Sequence, residues 1–351
     1  MNIFYDGPLS SSPKGGVVRY FHQISKGILK ENDIFFSRRL TGRYPKEIHL
    51  PPFTHFRPHR ISFYLEYLWH RLSLNYKIDI VHPTEFQLSP SGNFFKKKGA
   101  KIVITVHDLI HEKFGAPGSL FDKKKRLQFY SSADGIIFVS NSTQKDFENF
   151  YPEIFNSTQS TVIHHGNNFI IDTHSDKPRT NQFLFVGSRN GYKNFKSAAD
   201  AFCKIAAHDK SVSFIIAGAP PSSSELSKFA NFSSQVSWIE YPSDSDLRVL
   251  YSQSVALLYV SKYEGFGMPL LEAMSQGCVP IAGNHSSIVE VLGNAGIMVD
   301  TNSHTEITSA MRKCLIDKEH VERITANGFT RVNNFDWVTT AKKTLDFYHS
   351  L

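Results

Sequence analysis

The constraint that most narrows the fold of this chain is an alternation that runs through it twice. Short apolar runs of strand length are followed by stretches of helix length, and the order restarts after a polar interruption. In the first half the strand-like runs are NIFYD (2–6), DIFFS (33–37), IDIVH (78–82), KIVITVHD (101–108), GIIFVS (135–140) and TVIHHG (161–166). Helix patterns fall at 17–30 and 61–76, and the polar NSTQKDF opens another after residue 140. Residues 41–60, rich in Pro, Arg and His, read as an irregular excursion. DTHSDKPRTNQ (172–182) has the composition of a linker.

The second half repeats the pattern. QFLFVG (182–187), VSFIIAG (212–218), VSWIEY (236–241), SVALLYV (254–260), VPIAG (279–283) and GIMVD (296–300) read as strands, with helices between them and at the end of the chain. Alternation of this kind implies parallel sheets with helices on both faces. At 351 residues the chain exceeds what one core serves. The expectation is therefore α/β, with two doubly wound Rossmann-like domains facing a central cleft. Residues 1–170 form the first, residues 171–335 the second, and a closing helix at 336–351 packs back on the first. Ligands of such sheets bind outside the carboxyl ends of the strands.

Composition excludes several classes. Three cysteines, Cys203, Cys278 and Cys314, lack metal-ligand spacing and cannot form a disulfide framework, which points to a reducing compartment. MNIFYDGPL enters a strand-like run with no apolar signal core, and no apolar run approaches the roughly 20 residues that span a bilayer. A cytoplasmic protein is expected. Residues 1–165 carry 22 Lys/Arg against 14 Asp/Glu, net +8, and residues 166–351 carry 17 against 18, net −1, which together give the overall +7. Clusters such as Arg38-Arg39, Lys96-Lys97-Lys98 and Lys123-Lys124-Lys125-Arg126 fit solvated surface singly. Together they fit an anionic partner, with peripheral contact to an anionic membrane ahead of nucleic acid, for which no binding motif is present.

Three stretches carry chemistry. SKYEGFGMPLLE (261–272) follows an apolar strand and opens a helix, with Gly265, Gly267 and Pro269 in the turn and Glu264 and Glu272 bracketing it. Unpaired N–H groups at a helix start, beside two carboxylates, suit a ligand with both anionic groups and hydroxyls. FVGSRNGYKN (185–194) presents Arg189 and Lys193 at a strand's carboxyl end, which suits a diphosphate but also fits a helix-start loop with incidental charge. With the glycine loop in the same sheet the phosphate reading is favoured. ITVHDLIHE (104–112) places His107 at the end of the strongest strand of the first half. No G-x-G-x-x-G follows the first strand of either half and no P-loop is present, which counts against nicotinamide, flavin and P-loop enzymes. Asp244-Ser245-Asp246 spells a metal-binding D-x-D but reads as an acidic first helical turn, and His164-His165 would point to opposite faces of a strand.

Gly15-Gly16-Val-Val-Arg19-Tyr20, VHDLIHE, ADGIIFVS, VIHHG, FVGSRNGYKN and the pair Glu264-x7-Glu272 occur in this order. Together they resemble the retaining glycosyltransferases of family 4, which have the GT-B fold, and in particular mannosyltransferase-like members that build bacterial O-antigen and capsule. The resemblance implies that Lys193, with Arg189 close by, and Gly15 and Gly16 bind the donor diphosphate. Tyr192 stands where many relatives carry a second basic residue. The transferred sugar would lie against Glu264, Gly265, Phe266, Gly267 and Met268, and the ribose against Glu272 and Leu270. His107 and Glu264 would be the catalytic residues. The resemblance further implies a hexose moved from a nucleotide-diphosphate donor, GDP-linked, to a glycan or lipid-linked glycan acceptor, without metal or cofactor. A nucleotide-sugar epimerase of the same fold and a non-catalytic sugar-nucleotide-binding protein are the alternatives.

Overall fold

The computed structural model describes residues 1–6, 16–28, 33–36, 48–49, 59–73, 77–84, 86–115, 123–173, 179–189 and 191–351. They form two compact units. Unit 1 comprises Met1–Gly166 and Asp336–Leu351, and unit 2 comprises Asn167–Phe335.

Unit 1 is built on seven strands: β1 (Asn2–Asp6), β2 (Asp33–Phe36), β3 (Ile48–His49), β4 (Ile80–Pro83), β5 (Lys101–Val106), β6 (Gly135–Phe138) and β7 (Gln159–Val162). They pair in the order β3-β2-β1-β4-β5-β6-β7, every pair parallel. Its helices are α1 (Gly16–Ile28), α2 (His59–Ser73), α3 (Pro90–Lys97), α4 (Ile110–Phe114), α5 (Lys123–Tyr130), α6 (Asn141–Phe150) and α7 (Pro152–Ser157). Strand alternation sorts the side chains to two faces. Phe4 joins Ile102, Ile104 and Phe138 in one core, while Ile3 and Tyr5 join Val103, Ile137, Tyr20 and Ile24 in the other.

Unit 2 has six strands: β8 (Thr180–Val186), β9 (Ser213–Gly218), β10 (Val236–Glu240), β11 (Ser254–Tyr259), β12 (Val279–Gly283) and β13 (Ile297–Val299). Their order is β10-β9-β8-β11-β12-β13, again all parallel. The helices are α8 (Phe195–Ala206), α9 (Ser223–Lys228), α10 (Asp244–Gln253), α11 (Met268–Ser275), α12 (Ser287–Leu292), α13 (His304–Ile316) and α14 (Lys318–Val332). Every residue of β11 and β12 is buried, which explains why these strands read as unbroken apolar runs.

The last helix, α15 (Trp337–His349), belongs to unit 1 and lies beside α1. A Cβ at Gly27 of α1 would fall 2.4 Å from Cβ of Ala341, so glycine sets how closely the two helices approach. A polar chain runs beneath α15. His82 of β4 bonds the Tyr348 hydroxyl through Nδ1 at 2.6 Å and Thr105 Oγ1 through Nε2 at 2.9 Å, and Thr105 Oγ1 meets the Tyr20 hydroxyl at 3.1 Å. Burial, with His107 nearby, pushes the His82 pKa down to about 3, so the ring is neutral.

Three sequence expectations change. The strand expected over 161–166 ends at Val162, so His164 and His165 lie beyond the sheet rather than inside a strand. Within the excursion at 41–60, Ile48–His49 pairs with β2, and α2 begins at His59. Most of that stretch, like Gly15 and Arg38-Arg39, lies outside the described residues. Helix α3 was not anticipated; Ser89 caps it, accepting from the Gly92 N–H at 3.1 Å, and Pro90 occupies its first turn.

The His82 shift sets an acid limit on unit 1. A folded pKa below the unfolded value of roughly 6.5 means its stabilisation is complete above that pH and is lost as pH falls toward 3. His82 alone should lower unfolding free energy by about 1.4 kcal/mol per pH unit in that window. Trp238→Phe leaves Trp69 and Trp337, both in unit 1, as fluorescence reporters. Denaturant titrations of that variant from pH 7 to pH 4 should show the decline, and His82→Gln should make it shallower by about 1.4 kcal/mol per pH unit, the remainder coming from the other histidines of the unit that burial keeps neutral, His70, His107 and His165.

Candidate donor-binding site

In unit 2 the strand order reverses between β8 and β11, and the loops that leave these two neighbours carry the predicted donor residues. Gly187 directly follows β8, and its φ of 108° belongs to glycine. A 3-10 turn follows at Gly191–Lys193, and Asn194, left-handed at φ 54°, precedes α8. The Asn194 side chain explains this strained position. Its Nδ2 donates to the carbonyls of Val260 (3.2 Å) and Thr301 (2.8 Å), and its Oδ1 accepts from the Ser197 hydroxyl (2.9 Å). The Lys262 N–H donates to the Tyr192 carbonyl at 2.7 Å and closes the two loops on each other.

That closure brings Lys193 and Glu264 together. The Lys193 ammonium lies 2.7 Å and 2.9 Å from the two carboxylate oxygens of Glu264, with both side chains mostly shielded from solvent. Lys193 also sits over the ring faces of Tyr192 and Tyr259, at 5.2 Å and 5.7 Å. Burial, and the Glu264 carboxylate that its hydroxyl bonds, hold the Tyr259 pKa well above the usual phenol value.

The turn after Glu264 is pinned from below by the loop between β12 and α12. Ser286 Oγ accepts from the Glu264 N–H at 3.2 Å. Ser287 Oγ lies 2.8 Å from the Glu264 carbonyl and 2.9 Å from that of Phe266, and His285 Nε2 meets the Ser261 carbonyl at 2.8 Å. Ser286 itself takes a left-handed φ of 52°, a conformation held by its neighbours at a cost of order 1 kcal/mol. These three residues carried no signal beyond a polar GNHSS run after a strand. Gly265 and Phe266 are buried, and Gly267 enters α11 at φ 113° with no side-chain cap. Glu272 follows Met268 by one helical turn and is buried. Its carboxylate leans toward the helix start and accepts from the Tyr251 hydroxyl at 3.2 Å. Leu270 is wholly buried, with its N–H bonded to the Gly267 carbonyl.

Arg189 pairs with a different carboxylate from Lys193. Its Nε and Nη2 donate to the two oxygens of Glu225 (2.5 and 3.2 Å), and Nη1 and Nη2 to the carbonyls of Ala219 (2.9 Å) and Pro220 (2.7 Å). The guanidinium also lies over Trp238 at 5.2 Å. Glu225 closes a capping box with Ser222 at the start of α9. Burial alone would raise the Glu225 pKa; the Arg189 and Ser222 bonds outweigh it and the net shift is downward. Asp246 likewise forms a capping box with Ser243 at the start of α10, so the D-x-D stretch is a helix cap.

In unit 1, Gly16 begins α1, where a Cβ would meet nothing within 4 Å. His107 directly follows β5 and is half-buried, stacked on His165 with ring centroids 5.7 Å apart and edge-on to Tyr20 at 5.0 Å. Its Nε2 is buried without a hydrogen-bond partner among the described residues, and burial pushes its pKa down to about 4. His165, backed by Trp337, completes an aromatic box around a neutral imidazole.

Two family models cover the chain almost end to end. "Glycosyltransferase Family 4" matches residues 14–168 and "Glycosyl transferases group 1" matches residues 167–331, which meet where unit 1 passes into unit 2. The chain belongs to the family 4-like glycosyltransferases of the GT-B fold. This glycosyltransferase is 35% identical over 116 residues to O-antigen chain mannosyltransferase B of Escherichia coli, a match covering 33% of the chain and 30% of that protein. It is 31% identical over 118 residues to the serotype-specific mannosyltransferase WbdA of the same species, covering 34% of the chain and 14% of that protein. The chain thus matches less than a third of either relative's length. Its fold is shared with Anabaena HepE, solved with UDP and glucose, at TM-score 0.75 and 16% identity with each chain fully covered.

The Ser287 clamp is a test of how the glycine turn is held. Ser287→Ala removes the one hydroxyl donor that the buried Glu264 and Phe266 carbonyls share and should lower the stability of unit 2 by about 1–3 kcal/mol. Circular dichroism melting against the wild-type protein measures it. An unchanged melting curve would show that the turn holds itself.

Proposed function

We propose that the protein is a retaining hexosyltransferase that moves mannose or a related sugar from a nucleotide-diphosphate donor to a bacterial surface glycan. The observation that carries this reading is the convergence of Lys193, Glu264 and the Gly267-led start of α11 where the strand order reverses. Lys193 takes the donor diphosphate. Glu264, released from Lys193 by the incoming anion, accepts hydroxyls of the transferred sugar, and the N–H groups around Gly265–Met268 face the same ligand. Glu272 takes the ribose hydroxyls with Leu270 beneath. The Arg189 contact to the diphosphate is dropped from this reading, because Glu225 holds that guanidinium.

From unit 1, the family resemblance assigns Gly15 and Gly16 a role in diphosphate binding and His107, neutral here, a role toward the transferred sugar. Cleavage of the anomeric C–O bond builds positive charge on the sugar and negative charge on the departing diphosphate. A fixed cation and backbone donors at the leaving group lower that barrier. The acceptor attacks from the face the diphosphate leaves, a leaving-group oxygen receives its proton, and configuration is retained. No residue here is assigned to a metal. The E. coli mannosyltransferases support mannose, and a guanosine diphosphate donor is proposed with it from the family resemblance. A glycan or lipid-linked glycan is the acceptor. Among the described residues no helix is long and apolar enough to cross a membrane.

Incubation with GDP-mannose and a mannosylated acceptor, followed by NMR of the product, tests the reaction. Retained α-configuration is expected, and an inverted product would refute the mechanism. Glu272→Ala should weaken donor binding about tenfold, as loss of a charged hydrogen bond does. With donor alone, an epimerised sugar nucleotide would instead identify an epimerase.

A further inference from the structure

Helix α2 is turned inside out. Ser62, Glu66 and His70, spaced by four, are 0%, 0% and 1% exposed. His70 Nδ1 bonds Ser91 Oγ at 2.8 Å, and its ring packs edge-on against Phe4 at 5.1 Å. The opposite stripe is apolar and faces outward: Ile61 is 49% exposed, Tyr64 59%, Leu65 39% and Leu72 78%. Their spacing, 61, 64, 65 and 72, is that of one helix face. A surface helix ordinarily buries this stripe and exposes the polar one.

The surroundings of the stripe are cationic. Arg71 is exposed on α2, and α3 packs alongside through Tyr67 and Phe94, whose rings lie 5.7 Å apart. From α3, Lys96, Lys97 and the following Lys98 are all exposed. The single carboxylate of α2 is the buried Glu66, and α3 has none. An apolar row flanked by cations, with Tyr64 and Tyr67 among them, matches the chemistry of an anionic lipid surface. A second copy meeting this face about a two-fold axis would set the same cations against each other.

We propose that the α2 stripe, with the lysines at the end of α3, is the surface by which this protein docks on an anionic bilayer. The proposal builds on the reading of a lipid-linked acceptor but is tested without any substrate. Co-sedimentation of the full chain with phosphatidylcholine vesicles, with and without phosphatidylglycerol, reads it directly. Binding should require the anionic lipid, weaken with salt, and fall about tenfold or more in Leu65→Glu/Leu72→Glu and in Lys97→Glu/Lys98→Glu. Ile316→Glu, equally exposed but in unit 2, should bind as wild type. Nucleotide affinity should be the same in all variants, which separates failure of the docking surface from failure of the donor site. Unchanged vesicle binding in both double variants would overturn the proposal. So would sedimentation velocity showing self-association that Leu65→Glu/Leu72→Glu abolishes while no form binds vesicles.

Discussion

The parallel pairing of β8 with β11 is the constraint from which the candidate site follows. These strands are distant in sequence, yet Phe183 lies against Ala256 and Leu184 against Leu257 in register. Because the order of strands reverses here, helices leave the two strands toward opposite faces, and the loops at their carboxyl ends are left side by side. Asn194 and the Lys262–Tyr192 backbone bond convert that proximity into a fixed geometry. The apolar runs bury the strands; a handful of polar atoms then place Lys193 and Glu264 within 3 Å of each other.

An ion pair in that position can exchange partners. Lys193 and Glu264 compensate each other where solvent is largely excluded, and separating them without replacement would be costly. In the proposed function a diphosphate would bring negative charge to Lys193 and a hexose would bring hydroxyl donors to Glu264, so each member would find a new partner as the old one is lost. The rest of the loop need not move for this, since Ser286, Ser287 and His285 hold its backbone. The neutral histidines of unit 1 follow a different logic: burial keeps His82 and His107 uncharged, which suits hydrogen bonding and packing and makes the unit sensitive to acid.

Much of this was legible in the residues. Buried parallel strands such as β11 and β12 announce themselves as continuous apolar runs, and Gly267 with Pro269 marks the start of α11. The pairing of Lys193 with Glu264 was not legible, although each was singled out, because it depends on loops separated by some seventy residues meeting at the strand reversal. The partner of Arg189 was not legible for a similar reason. Its positive charge suited a diphosphate, and no spacing in the sequence links it to Glu225, which both caps α9 and holds the guanidinium. His164-His165 continued a strand pattern that pairing with β6 does not extend past Val162. The apolar and polar stripes of α2 have helical spacing, but spacing alone does not say which stripe the unit buries.

The central claim is that Lys193 supplies the charge that holds a donor diphosphate. Titration calorimetry of guanosine diphosphate and uridine diphosphate, each beside its nucleoside, against wild type and Lys193→Ala addresses it. The account predicts that the better diphosphate loses about tenfold or more in affinity in the variant, as removal of a charge-assisted contact does, while nucleoside binding is unchanged. Equal diphosphate affinity in wild type and variant would contradict it.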